Sequence, residues 1–163
     1  MAVTVDSFVN KYKLTLTDFN ALELQAYITR YEQISLVELF GVELYDLYVS
    51  GIGISDPIYT ALRDPFIEQL DSGTILNSRG VDDMITGIVY FYWSRDIETQ
   101  RSSQGSVKKK AENSESATQW KSNLQSRWNE AINTYCAIQD YVLDNDDLYP
   151  EFEGLRKTIL PII

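Results

Sequence analysis

The chain has 163 residues, 24 of them acidic and 14 basic, for a formal charge of −10, with one cysteine and no histidine. That length reads as one domain able to bury a core without staples, and the acid excess argues against attraction to nucleic acid. The missing histidine removes Ser–His and Cys–His nucleophile pairs and most helical zinc and di-iron sites, while a single cysteine excludes an internal disulfide framework and fits a reducing cytoplasm.

Residues 1–17 alternate weakly through Val3, Val5, Phe8, Tyr12, Leu14 and Leu16, which reads as a short extended arm without the apolar core of a signal peptide. Thr17 or Asp18 caps a helix running to about Phe40, with Leu24, Tyr27, Ile28, Tyr31, Ile34 and Val37 on its apolar face. Ser35-x-x-Glu38 also has the form of a capping box, so a break and restart there is a second reading. Gly41 suits either a C-cap or a tight joint. A shorter helix, Val42–Val49, ends at Ser50-Gly51, and GIGIS follows as a flexible connector. Asp56-Pro57 and Asp64-Pro65 each place a capping acid before a proline, the signature of two short helix starts.

Asp71–Gly80 reads as a loop with a brief extended piece at Thr74–Leu76. The rest of the chain is organised around the next stretch, Asp82–Thr99. Ile85 to Trp93 is almost unbroken apolar and aromatic, so the helix is hydrophobic on every side. Such a helix is either central to a core or shared with a neighbouring subunit. The run is far shorter than the roughly 20 residues a bilayer needs. Asp82 and Asp83 sit where the positive end of the helix dipole favours them, with a start near Gly80. Gln100–Ser116 is the most polar stretch and reads as a structureless loop, since it has nothing to bury. Ser116-x-x-Gln119 then caps a long helix carrying Trp120, Leu124, Trp128, Ala131, Tyr135, Ile138 and Val142 on one face, and DNDD ends it. The tail YPEFEGLRKTILPII has room for one more helical turn before an apolar end. Pro161 favours an extended end, laid into a groove of the chain's own core or of an adjacent protein. The resulting fold class is all-α: a helical bundle of about four to six helices with a long polar inter-helix loop and extended termini.

Little in the sequence proposes chemistry. Neither GxxxxGK[ST] nor GxGxxG occurs, so no phosphate-cradling loop is signalled. Cys136 lies between Tyr135 and Ile138 of the amphipathic helix, where a buried structural thiol is the simpler reading. Asp144, Asp146, Asp147, Glu151 and Glu153 superficially suggest calcium. An EF-hand loop, however, needs glycine and glutamate where Tyr149 and Leu155 stand, so a solvated helix end fits better. Lys108-Lys109-Lys110, with Arg101 upstream, is the one basic run: a solubilising loop, or a finger that touches DNA or an acidic neighbour. It has no interleaved aromatics for base stacking.

At Leu39–Tyr48, LFGVELYDLY, an amphipathic helix meets a joint of the L-[LF]-G-x-E-L-Y-D-L type. Short helices, a long apolar helix, a polar loop from Thr99 to Val107 and a closing long helix follow. Over about residues 18–143 this order resembles the head–tail connector, or adaptor, family of tailed bacteriophages, and is most similar to its members in crAss-like phages. The resemblance implies a structural ring, usually a dodecamer, beneath the portal in the virion neck. Its partners would be copies of itself, the portal protein and other neck or tail proteins. DNA would pass through without sequence-specific binding, and no enzyme activity, cofactor, metal or membrane is implied. Interface candidates are Tyr90, Tyr92 and Trp93 of the apolar helix, Arg101, Lys108, Lys109 and Lys110 of the loop, and Ile159, Leu160, Ile162 and Ile163 of the tail. An acidic channel lining would repel the DNA backbone, and abundant Tyr and Trp suit a subunit with two faces to bury. Two other classes compete: a small helical regulatory or adaptor protein that binds one cellular partner, and an enzyme with an acidic metal site.

Overall fold

The computed structural model describes residues 3–14, 18–102, 105–108 and 117–159. Over these the protein is mostly helical, with five α-helices and two β-hairpins. The helices are α1 (Asp18–Phe40), α2 (Val42–Gly53), α3 (Pro57–Arg63), α4 (Val81–Glu98) and α5 (Ala117–Asp144). One antiparallel hairpin joins β1 (Phe66–Gln69) to β2 (Ile75–Ser78), and the other joins β3 (Thr99–Ser102) to β4 (Gly105–Lys108). The expectation of a purely all-α chain is therefore corrected at two places.

The first correction falls on a repeated signal. Asp56 caps α3 as expected, its carboxylate accepting the Ile58 N–H at 3.0 Å with Pro57 in the first turn. Asp64-Pro65 opens β1 instead of a helix, because Phe66–Gln69 finds a partner strand in Ile75–Ser78. The inner side of this hairpin is carried by β2, where Leu76 and Ser78 are buried, and by Phe66, which packs on Tyr141 with ring centroids 4.9 Å apart; Glu68 is exposed. The second correction is the polar stretch after α4. Thr99 pairs with Lys108 and Ser102 with Gly105, so the backbone satisfies itself as a hairpin where a structureless loop was expected.

Helix α4 is the hub. It packs chiefly on α5 and α1 and also touches α3 and the N-terminal segment. Met84, Ile85, Thr86, Ile88, Val89 and Trp93 are buried, and Tyr90, Phe91 and Tyr92 are half-buried against the same core. Helix α5 buries Leu124, Trp128, Ala131, Tyr135, Ile138 and Val142, the stripe read from the sequence except Trp120, whose side chain lies outside the described residues. In α1 the expected face holds at Leu24 and Ile28, with Tyr27 and Tyr31 packed against the core, and fails at Ile34. Its buried row is Leu24, Ile28, Glu32, Ser35, Leu36 and Leu39, and Ile34 is exposed. The helix runs through Ser35 without a break, since that residue is a core position and not a cap. Helix α2 continues to Gly53, past the expected end at Ser50-Gly51.

The described segments before α1 and after α5 are tied down. The segment before α1 is no extended arm: it makes two 3₁₀ turns, Val5–Ser7 and Asn10–Tyr12, and buries Val3, Phe8 and Tyr12 in the core. After α5 the tail is irregular, with no further helical turn among the described residues. It lies against α1 and α5 as a strap. The Glu153 and Leu155 N–H groups donate to the carbonyls of Phe40 (3.0 Å) and Glu38 (2.6 Å), which the end of α1 leaves free. Gly41 turns the chain between α1 and α2 at φ +83°, and a side chain there would strike the backbone of Glu153.

Candidate partner interface

The predicted interface residues separate into three groups, and the structure treats them differently. At the C-terminal end of α4, Trp93 is 4% exposed and stands edge-on to Tyr27 at 5.2 Å. Tyr92 stacks on Tyr31, centroids 4.1 Å apart, and meets Trp128 edge-on at 5.9 Å. Tyr90 lies 5.7 Å from Tyr12 of the N-terminal segment. These rings staple α1, α4 and α5 to one another, so their packing is within the subunit. The Tyr27 hydroxyl donates to Asp96 at 3.0 Å, and Arg95 sits 4.9 Å over the Tyr92 ring. That leaves a polar, cation-bearing edge on an aromatic cluster.

The loop group lies on the second hairpin. Arg101 pairs with Ser106 and Lys108 with Thr99 in the backbone register, whereas Lys109 and Lys110 lie outside the described residues. In the tail group Ile159 is more than half exposed, and Leu160, Ile162 and Ile163 lie outside the described residues.

Hydrogen bonding explains why the strap holds its course. The Tyr135 hydroxyl and the Gln139 amide both donate to the Leu155 carbonyl, at 2.5 and 3.1 Å, and the same amide reaches the Leu39 carbonyl at 3.0 Å. Gln139 thus bridges strap, α5 and the end of α1. Tyr149, buried at the root of the tail, donates to the Ile58 carbonyl of α3 at 3.0 Å. Lys157 pairs with Glu38 and Arg156 with Asp140. Cys136 is half-buried beneath this strap, its Sγ 3.8 Å from the Lys157 carbonyl.

At the other end a charge hub fixes the N-terminal segment. Glu130 of α5 accepts from Lys11 (3.1 Å), Arg79 (2.5 Å) and Arg127 (2.6 Å), and Lys11 also pairs with Asp83. Burial alone would raise the Glu130 carboxyl, but Lys11 and Arg79 outweigh it and hold the group below its ordinary value. Beside them, burial pushes the Tyr12 phenol up to about 12 against the opposing pull of Lys11.

One further surface was not anticipated. On the outer face of the β1–β2 hairpin, Ile67 is 76% exposed and Ile75 66% exposed. The register sets Ile67 opposite Asn77 and Gln69 opposite Ile75, so the two isoleucines are diagonal neighbours on one side. Two β-branched side chains left in water on a short two-stranded ribbon form an apolar handle. The extended piece read at Thr74–Leu76 overlaps β2, but the helix-start signal at Asp64-Pro65 masked its partner strand, where Ile67-Glu68-Gln69 alternates.

Among the described residues, no group of three His, Cys, Asp or Glu side chains is placed to hold a metal ion. Among them, too, no helix is long and apolar enough to cross a membrane. No family model, curated protein or solved structure matches the chain.

Proposed function

We propose that this chain is a structural virion protein that assembles as a ring beneath a portal, joins capsid to tail and leaves a passage for DNA. The order of its elements carries the reading. An amphipathic helix passes through the Gly41 joint of LFGVELYDLY into α2, and an apolar hub helix, an inter-helix projection and a closing long helix follow. That is the order of the connector family the sequence resembles, in which the ring is usually a dodecamer. Supporting it are the charge of −10, which suits a passage that DNA must not stick to, and the apolar handle of Ile67 and Ile75, which suits a neighbouring subunit. In this reading the β3–β4 hairpin, with Arg101 and Lys108 to Lys110, is the element that reaches a neighbour or the channel. The end of the tail, Ile159 to Ile163, docks on an adjoining protein.

A second reading has a specific observation in its favour. Most of the hub helix is covered inside one subunit: Met84, Ile85, Ile88, Val89 and Trp93 are buried without a neighbour. A helical regulatory or adaptor protein, binding one cellular partner as a monomer or dimer, would look the same. Light-scattering mass of the purified protein, alone and mixed with a portal, separates the two. A species of about a dozen copies, or co-migration with the portal, is the expected result. One or two copies with no portal association would abandon the ring.

A further inference from the structure

A cleft of about 280 Å³ opens where α1, α2 and the first turn of α4 meet. Leu36, Tyr48, Ile52 and Val81 make its walls largely apolar, and two acidic residues, Glu32 and the exposed Asp82, also line it. Glu32 is only 6% exposed, and its Oε2 is shut off from solvent with no hydrogen-bond partner among the described residues. Native cores leave few buried polar atoms in that condition; among the described residues Gln125 Oε1 and Gln139 Oε1 share it, but Glu32 alone of the three lines a cleft and is an acid. Neither carboxylate takes part in an ion pair among the described residues. Arg63, the basic group on the rim, is engaged with Asp64 at 2.9 Å.

We propose that this cleft binds the side chain of a lysine or arginine from a partner protein, its aliphatic stem along Leu36, Ile52 and Val81 and its cationic head on Glu32 and Asp82. Each part of the cleft excludes something else. An anion would be repelled by two carboxylates, and a purely apolar group would offer them no hydrogen-bond donor. A compact metal ion would find no third ligand among the described residues and no use for the apolar walls. A long stem ending in hydrogen-bond donors satisfies both halves of the cleft at once. Burial pushes the Glu32 and Asp82 carboxyls above their ordinary values, Asp82 adding to the effect on Glu32 and Arg63 opposing it at Asp82. An arriving cation would oppose that shift by favouring the charged form of both. This assignment does not depend on ring assembly.

The test is an NMR titration of the full chain with capped Ala-Lys-Ala and Ala-Arg-Ala peptides, following the amides of Val49 and Ile52. Saturable shifts are expected, at least tenfold weaker for the norleucine peptide and for the Glu32→Gln variant. Glu43→Gln, which removes the same charge from the exposed start of α2, should change affinity less than twofold. Asp82→Asn provides a second variant should Glu32→Gln fail to fold. Equal binding of the norleucine peptide, or equal losses in Glu43→Gln, would overturn the proposal in favour of an apolar pocket or diffuse acidity. Butylammonium binding as tightly as the lysine peptide would overturn the protein source and give the cleft to a free amine.

Discussion

Tyr31 and Tyr92 lie face to face, ring planes 7° from parallel and centroids 4.1 Å apart, so that α1 and α4 are joined through a pair of phenols. Stacked rings contribute about 0.5–1.5 kcal/mol beyond their area. Tyr92→Ala should destabilise the fold by about 1–3 kcal/mol, the low end of aromatic truncation because the ring is half-buried. Urea unfolding of both single variants and the double variant should return a coupling of about 0.5–1.5 kcal/mol. Strict additivity would mean the rings are neighbours without being partners.

A pair of glycines gives opposite expectations. A side chain at Gly154 would collide with the Leu39 carbonyl and crowd the Gln139 amide, so Gly154→Ala should lift the strap and cost about 1–3 kcal/mol. Gly53, in the last turn of α2, has open space around the same position, and Gly53→Ala should stabilise by up to about 1 kcal/mol. Thermal melts of the two variants should move in opposite directions. A harmless Gly154→Ala would mean the strap does not hold its place.

Two glutamates should tilt the pH dependence of stability in opposite senses. The folded protein holds Glu130 below its ordinary value through Lys11 and Arg79. Its contribution is therefore present above the unfolded-state value and lost as pH falls through the lowered folded value. Glu130→Gln should flatten the acid limb, each lost pair amounting to about 0.2–1 kcal/mol at this exposure. Glu32 is raised by burial, so its contribution is present below the unfolded-state value and lost as pH rises through the raised folded value. Glu32→Gln should accordingly leave stability at neutral pH equal or higher. Unfolding free energies measured across the acid range would check both, and parallel curves for the two variants would contradict the assignment.

The β1–β2 handle predicts a separation of stability from association. Ile67→Lys together with Ile75→Lys alters only exposed positions, so the melting temperature should hold within about 0.5 kcal/mol of equivalent stability. Association with copies of itself or with a portal should be lost. If sedimentation shows the same species before and after substitution, that face is not an interface.

Much of this was legible where one local signal acted alone. Asp56-Pro57 announced α3, the apolar girth of Ile85–Trp93 announced a central helix, and the Trp128–Val142 spacing announced α5. Legibility failed where a distant partner decided the outcome. Asp64-Pro65 carries the same signal as Asp56-Pro57, but pairing with Ile75–Ser78 overrode it. The face of α1 was read rightly at Leu24 and Ile28 and wrongly at Ile34, because two of its core positions are polar, Glu32 and Ser35. Glu32 gave no hint of its cleft, since a glutamate among helix residues ordinarily reads as solvent-facing. Trp93 was taken for interface material because composition cannot say whether an aromatic meets its own chain or another; here Tyr27 covers it.

The straps at the two ends also set an order of events. Lys157 reaches Glu38, and Lys11 reaches Glu130, each across 119 positions of sequence. Contacts so distant form only after the chain between them has been gathered, whereas α4 and α5 are close in sequence and share the largest interface. Refolding should thus proceed from the α4–α5 pair outward, with the strap arriving after the rate-limiting step. The same asymmetry runs backwards in the native state: the Glu153 and Leu155 amides should exchange with solvent by a partial opening well below the global unfolding free energy, while Ile88 and Ile132 wait for complete unfolding. The molecule would then be a durable two-helix spine with a latch, and the latch can open without the spine letting go.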